Sequence, residues 1–254
     1  MKLPLRERLS SGSPLIVGWC TLPGVAYASA LGRTAFEAVC LDQQHGVISI
    51  ADAYTMLPAL HAQNKYALVR AAWNEPGLLG QLLDAGADAV IVPMINTSSD
   101  AAALVRATKY PPLGERSFGA YAATHQAGLS RDAFLQRANA LTLAIAMIET
   151  ADALSNLDAI LATPGIDAVF VGPTDLTISL SDGASLDANR DDTRAALVRV
   201  ARAAADHRKP AGVFGASPLF AKAALALGYS FTTSGSDTGM LASAAASYIE
   251  SLNR

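Results

Sequence analysis

The chain has 254 residues, 51% hydrophobic and 16% charged, which is enough for one large core and is the usual size of a single α/β barrel. Its net charge is −3 with the basic residues scattered, a pattern that lacks the clustered basic face of a nucleic-acid or anionic-membrane binder and points to a small-molecule partner. No apolar run is long enough to span a bilayer, and the two cysteines, Cys20 and Cys40, sit inside apolar runs, as small buried hydrophobes of a reducing cytoplasm do.

In chain order one pattern repeats. Lys2, Arg6 and Arg8 precede the apolar run 14–20, which is too short for a signal peptide and serves better as a first strand. An Ala-rich helical segment over 21–31 leads to a second strand, 36–41, ending in Asp42-Gln43-Gln44-His45-Gly46. The helix over 50–63 carries Ala53, Met56, Leu57 and Leu60 on one face. A third strand, 67–70, a helix over 76–85 opened by proline, and a fourth strand, 89–92, follow. After a helix over 99–108 the rhythm breaks. Residues 110–132, with Pro111-Pro112, three glycines and little periodicity, read as a long loop, which in a compact domain is usually functional or mobile. A short helix to Ala140 then enters a fifth strand, 141–148.

The stretch 144–175 is the informative one. Two apolar runs, 141–148 and 168–171, end abruptly at Glu149-Thr150 and at Gly172-Pro173-Thr174-Asp175, with Leu154, Leu157, Ile160 and Leu161 at helical spacing between them. A strand–helix–strand unit has parallel strands, so Glu149 and Asp175 emerge at one end of the sheet. Either acid could cap the helix that follows it. Together they could instead be two hard oxygen ligands for a divalent cation, which would remove their mutual repulsion. Beyond them, a polar loop over 179–189, a helix over 192–207, a seventh strand at 211–214, a helix over 218–227, an eighth strand at 230–233 and a last helix over 238–252 complete the chain.

Eight short apolar strands alternating with helices predict a single (β/α)₈ TIM barrel spanning residues 1–254, with parallel strands. An open doubly wound sheet is the alternative, but no GxGxxG follows the first strand. On a barrel the carboxyl ends of the strands hold the chemistry. They carry Trp19, Asp42 and His45, Arg70, Glu149 and Asp175. Asp42 could orient the His45 ring as a proton-transfer dyad, against the reading of an ordinary hydrogen-bonded histidine. Arg70 ends an apolar strand, so it either pairs with an internal acid or binds an anionic ligand. None of the five lysines, Lys2, Lys65, Lys109, Lys209 and Lys222, falls at a strand's carboxyl end, which argues against Schiff-base chemistry. Ser234-Gly235-Ser236 after the last strand could hold phosphate, although a turn and cap is the more economical reading.

The runs LDQQHG (41–46), LVRAAWNEP (68–76), LLDAGADAVIVPM (82–94), RATKYPPLGERSFG (106–119), MIETADALSNLDAIL (147–161) and VFVGPTDL (169–176) resemble the HpcH/HpaI aldolase/citrate lyase family of metal-dependent pyruvate aldolases. The resemblance covers nearly the whole chain, with motifs at matching strand ends in matching order. It implies reversible cleavage of a 4-hydroxy-2-oxo acid to pyruvate and an aldehyde through a metal-stabilised enolate. It implies Glu149 and Asp175 as ligands of Mg²⁺, Mn²⁺ or Co²⁺, Arg70 as holder of the pyruvate carboxylate together with amides near Gly172 and Thr174, and His45 as acid/base with Asp42 as partner. Trp19 and Phe214 match the aldehyde pocket, and Asp84 and Arg116 match positions near the site, Asp84 reaching a neighbouring subunit. It also implies a last helix exchanged between subunits of a cytoplasmic hexamer built as a trimer of dimers. Most members carry Glu where this chain has Gln44, a change at a position implied to bond metal-bound water. A citrate-lyase-like enzyme acting on CoA esters, a metal- and oxo-acid-binding barrel without turnover, and a metal-assisted hydrolase are the rival readings.

Overall fold

The computed structural model describes residues 2–252, and in it strands alternate with helices along the whole length. In order these are α1 (Leu5–Leu9), β1 (Leu15–Cys20), α2 (Val25–Gly32), β2 (Ala38–Asp42), α3 (Ile50–His61), β3 (Tyr66–Arg70), α4 (Pro76–Asp84), β4 (Ala89–Val92) and α5 (Ser98–Thr108). There follow α6 (Tyr121–Ala127), α7 (Arg131–Leu141), β5 (Leu143–Ile148), α8 (Ala151–Ser155), α9 (Leu157–Ala162), β6 (Ala168–Val171) and α10 (Pro173–Leu180). The chain ends with α11 (Asp191–Asp206), β7 (Ala211–Val213), α12 (Pro218–Ala226), β8 (Phe231–Ser236) and α13 (Asp237–Leu252).

The strands pair in sequence order, β1 through β8, and β8 returns to β1 in parallel, so the sheet closes into the expected barrel. The strands are short apolar runs because both of their faces are buried. Side chains alternate across the sheet. Leu15, Val17 and Trp19, Ala38 and Cys40, Tyr66 and Leu68, Leu143, Ile145 and Met147, and Ala168 and Phe170 point inward and fill the barrel with Phe231. The residues between them, among them Val39, Leu41, Val69, Ala146 and Val171, pack outward against the helices. Trp19 stacks on Phe170 at 5.7 Å between ring centroids, so the interior is solid rather than a channel.

The amino end of the barrel is sealed. Leu5 and Leu9 of α1 are buried there against the inner residues. Lys109 lies at the same end, where its Nζ donates to Asp167 at 2.6 Å and to the Thr142 carbonyl at 2.6 Å. Burial lowers the affinity of Lys109 for its proton and Asp167 opposes that shift. This lysine is therefore a structural plug, remote from the carboxyl ends of the strands.

Three local expectations give way. The stretch 110–132 is not all loop: it contains α6, a seven-residue helix that buries only Ala123 and Thr124 and stops at Gly128 with φ +63°. The segment after β5 is two helices, because the Asn156 side chain donates to the Asn96 carbonyl at 2.9 Å and breaks the run. Ser234, Gly235 and Ser236 extend β8, with Ser236 beside Trp19 of β1, so the expected turn is strand, while the expected cap is present: the Ser236 hydroxyl accepts the Gly239 N–H at 3.3 Å at the start of α13. The last helix, α13, leaves the barrel, with Asp237 its one buried residue among those described.

Candidate active site at the carboxyl ends of the strands

Inward alternation brings Asp42 and Arg70, the last residues of β2 and β3, and Glu149, the first after β5, to the mouth of the barrel. Asp42 and Arg70 are register partners on β2 and β3. The Arg70 Nε and Nη2 donate to Oδ1 and Oδ2 of Asp42 at 2.9 and 2.6 Å, a bidentate pair. Of the two readings of Arg70, pairing with an internal acid is thus realised, and what is left for a ligand is Nη1 and the outer hydrogen of Nη2. The Trp19 indole donates to Oδ2 of Asp42 at 3.1 Å, and the Arg70 guanidinium lies 5.0 Å from the Trp19 ring. Burial disfavours ionisation of Asp42, but Arg70, the His45 amide and the Trp19 indole outweigh it and hold the carboxyl below its ordinary range.

His45 follows on an exposed turn. Asp42 does grip this residue, but through the backbone: Oδ1 accepts the N–H of Gln44 at 3.1 Å and of His45 at 3.3 Å. The expected carboxylate–imidazole contact is absent because both oxygens of Asp42 are occupied by Arg70, Trp19 and these amides. The side-chain oxygen of Gln44 is buried without a hydrogen-bond partner.

Glu149 is 1% exposed. Its Oε1 accepts the Met94 amide at 2.8 Å, which the left-handed backbone of Met94 (φ +56°) presents, while Oε2 is buried with no partner. Gly172 makes room for it, since a Cβ there would stand 2.6 Å from Oε2. Burial, helped by the charge of Asp175 and opposed by the Met94 amide and Arg70, pushes the Glu149 carboxyl up to about 7. Asp175 sits in the first turn of α10 and is half-buried. Neither acid is a cap. Thr150 caps α8 through its hydroxyl, and α10 begins at Gly172 with no side-chain cap.

These features fit a divalent cation. Two carboxylates act on one another at the mouth, and one of them has a buried oxygen left unsatisfied. Among the described residues no cluster of three or more His, Cys, Asp or Glu could hold a metal; a cation at this mouth would have two hard donors from the protein, with its other positions left to water and ligand.

Of the remaining residues, Phe214 meets Trp19 edge-on at 5.3 Å and is half-buried at the rim, and Thr174 is exposed at the start of α10. Trp19 is 1% exposed and forms the floor beneath Asp42 and Arg70 rather than a pocket wall. Asp84 and Arg116 pair at 2.6 Å, but Asp84 ends α4, at the amino end of its own barrel and away from this mouth. Sequence reasoning missed Met94 and Asp237. A Pro-Met-Ile run hints at a strand end but carries no sign of the strained amide, and the Asp237 partners Thr21 and Leu22 lie more than 200 positions away.

A closed (β/α)₈ barrel with an acid pair and a buried Asp–Arg pair at its carboxyl mouth has its candidate site at the end where barrel enzymes carry theirs. The chain belongs to the HpcH/HpaI aldolase/citrate lyase family, whose model matches residues 16–244. It is 38% identical to a hydroxypyruvate/pyruvate aldolase of Rhizorhabdus wittichii over 241 residues, covering 95% of each chain. It is 32% identical over 245 residues to a 4-hydroxy-2-oxo-heptane-1,7-dioate aldolase of Escherichia coli, covering 96% of this chain and 93% of that one. The crystal structure of a family protein from Burkholderia cenocepacia superposes with a TM-score of 0.91 at 31% identity, over 98% of this chain and 99% of the other.

Proposed function

We propose that the chain is a divalent-metal-dependent pyruvate aldolase that reversibly cleaves a 4-hydroxy-2-oxo acid to pyruvate and an aldehyde. The observation that carries this reading is the Glu149–Asp175 pair with its buried, unsatisfied oxygen beside Arg70. Glu149 and Asp175 would hold Mg²⁺, Mn²⁺ or Co²⁺, which when bound supplies Lewis-acid polarisation of the 2-oxo group. The chain's own residues do the rest. Arg70, oriented by Asp42, offers its free N–H groups to the substrate carboxylate, and the amides near Gly172 and Thr174 would share that load. His45 takes the proton from the 4-hydroxyl as the C3–C4 bond breaks and the electron pair passes into the enolate of pyruvate; in the reverse direction it returns the proton. Trp19 closes the floor against water and Phe214 lines the side where the aldehyde departs.

The same reading takes α13 as the helix exchanged between subunits of a hexamer in the cytoplasm, and Asp84 with Arg116 as residues facing a neighbour's mouth. Its support is the exposure of that helix, the distance of Asp84 from its own mouth, and two free buried cysteines. No helix among the described residues is long and apolar enough to cross a membrane.

The test is exchange of the pyruvate methyl protons in deuterated water, followed by NMR, with Mn²⁺ and again with excess chelator. The expected result is exchange that requires the metal and is lost in His45→Ala. Metal binding without exchange would replace the aldolase reading with that of a binding barrel, for which Gln44 is the supporting residue.

A further inference from the structure

Asp237 opens α13 at the barrel mouth and is 3% exposed. Its carboxylate is fully engaged. Oδ2 accepts the N–H of Thr21 at 2.8 Å and of Leu22 at 3.2 Å, while Oδ1 accepts the Thr21 hydroxyl at 2.6 Å and the Thr238 N–H at 2.8 Å. The Ser236 hydroxyl already caps α13 by accepting the Gly239 N–H at 3.3 Å, so the helix start does not require this carboxylate. Three of its four bonds bind the turn after β1. Thr21 relays the hold: its carbonyl accepts the Val47 N–H at 2.9 Å, and Gly46 lies so close that a Cβ there would stand 2.9 Å from that same oxygen. The turn 42–47 is thus fixed at one end by Asp42 and at the other by Thr21 and Asp237. The His45 ring makes no hydrogen bond among the described residues, so within the single chain the imidazole is placed by the backbone of this turn and its own rotamer.

We propose that Asp237 is a positioning residue for His45: acting through Thr21, it fixes the turn that presents the imidazole and ties that turn to the first residue of α13. The inference rests on the reading of His45 as the acid/base. Every group facing the Asp237 oxygens is a donor. A carboxylate satisfies four donors at once, whereas an Asn would turn an NH₂ against N–H groups and release Thr21. Glu149 and Asp175 have separate supports on β5 and α10, and Arg70, carried by β3, meets this turn only at its opposite end, through Asp42 and the Gln43 amide, so metal and carboxylate binding do not depend on the Thr21–Asp237 clasp.

The experiment compares Asp237→Asn, Thr21→Val, Thr21→Ser and His45→Ala with the wild type by methyl-proton exchange of pyruvate with Mn²⁺, alongside Mn²⁺ affinity and assembly size by sedimentation. Asp237→Asn is expected to lower kcat roughly tenfold to a hundredfold, the scale of a small misplacement of a reacting group. The KM for pyruvate, Mn²⁺ affinity and assembly should stay at wild-type values. Thr21→Val should follow in the same direction and Thr21→Ser, which keeps the hydroxyl, should restore the rate. An unchanged kcat in Asp237→Asn while His45→Ala is inactive would overturn the inference and leave the proposed function intact. So would a loss of kcat matched by a rise in KM, weaker Mn²⁺ binding or dissociation, since those mark a merely structural role. Full exchange in His45→Ala would instead remove the acid/base reading itself, and this inference with it.

Discussion

Glu149 is a carboxyl that folding has turned into a weak acid. Its ordinary unfolded value is about 4.3, and burial beside Asp175 lifts it to about 7. Between those values the folded chain binds more protons than the unfolded one, so the metal-free protein loses stability as pH rises from about 4.3 to 7 and remains at that deficit above it. The effect is of order 3 kcal/mol for this buried group. Glu149→Gln should therefore make the metal-free protein more stable at pH 8 and leave it unchanged at pH 4, measured by urea unfolding in chelator. Adding Mn²⁺ should stabilise the wild type and not the variant, because only the wild type offers the folded-state ligand pair. Gly172→Ala acts on the same oxygen from below. With a Cβ 2.6 Å from Oε2, the carboxylate must move, and Mn²⁺ affinity should fall roughly tenfold to a hundredfold with no loss of folded protein, a result titration calorimetry would show. Asp42→Asn should destabilise by about 3 kcal/mol in urea unfolding, because Arg70 would be left buried beside a neutral partner.

At the scale of elements the two ends of the barrel have different duties. Leu9 of α1 is 4% exposed at the sealed end, so Leu9→Ala should cost about 2–4 kcal/mol of stability in urea unfolding while kcat for pyruvate exchange stays at the wild-type value. A parallel loss of kcat and stability would mean that the plug and the mouth are not independent. This division explains what could be read from the chain alone. Strands buried on both faces write themselves as apolar runs, and the residue types that interrupt them, Asp42, Arg70 and Glu149, are conspicuous at the ends. The helix α6 had no such signature, being seven residues long with a buried face of only Ala123 and Thr124. The choice of partner for Asp42 was equally hidden: a sequence offers His45 three positions away, whereas the register of β2 on β3 delivers Arg70. The clasp of Asp237 on Thr21 exists only because β8 closes on β1, a contact with no local trace in either segment.

For the whole molecule, α13 is the unfinished part. Leu241, Ala245, Tyr248, Ile249 and Leu252 recur at i, i+4, i+7, i+8 and i+11 and so form one stripe along the helix. In the single chain Leu241, Tyr248, Ile249 and Leu252 are 63%, 74%, 61% and 80% exposed. An apolar stripe of that length left in water is a cost that association removes. If α13 packs on a second copy, as the proposed exchange requires, then unfolding is coupled to dissociation and Tm rises with protein concentration. Ile249→Glu would place a charge in that stripe, which an apolar interface tolerates poorly. The expected outcome is an assembly that falls apart in sedimentation velocity at micromolar concentration and a Tm that no longer depends on concentration, with the barrel's circular dichroism retained. Activity should fall as well, because Asp84 and Arg116 lie at the far end of their own barrel and, in this reading, serve only a neighbour's mouth. A variant that dissociates yet keeps full turnover would show that each mouth is complete by itself and would remove Asp84 and Arg116 from the site.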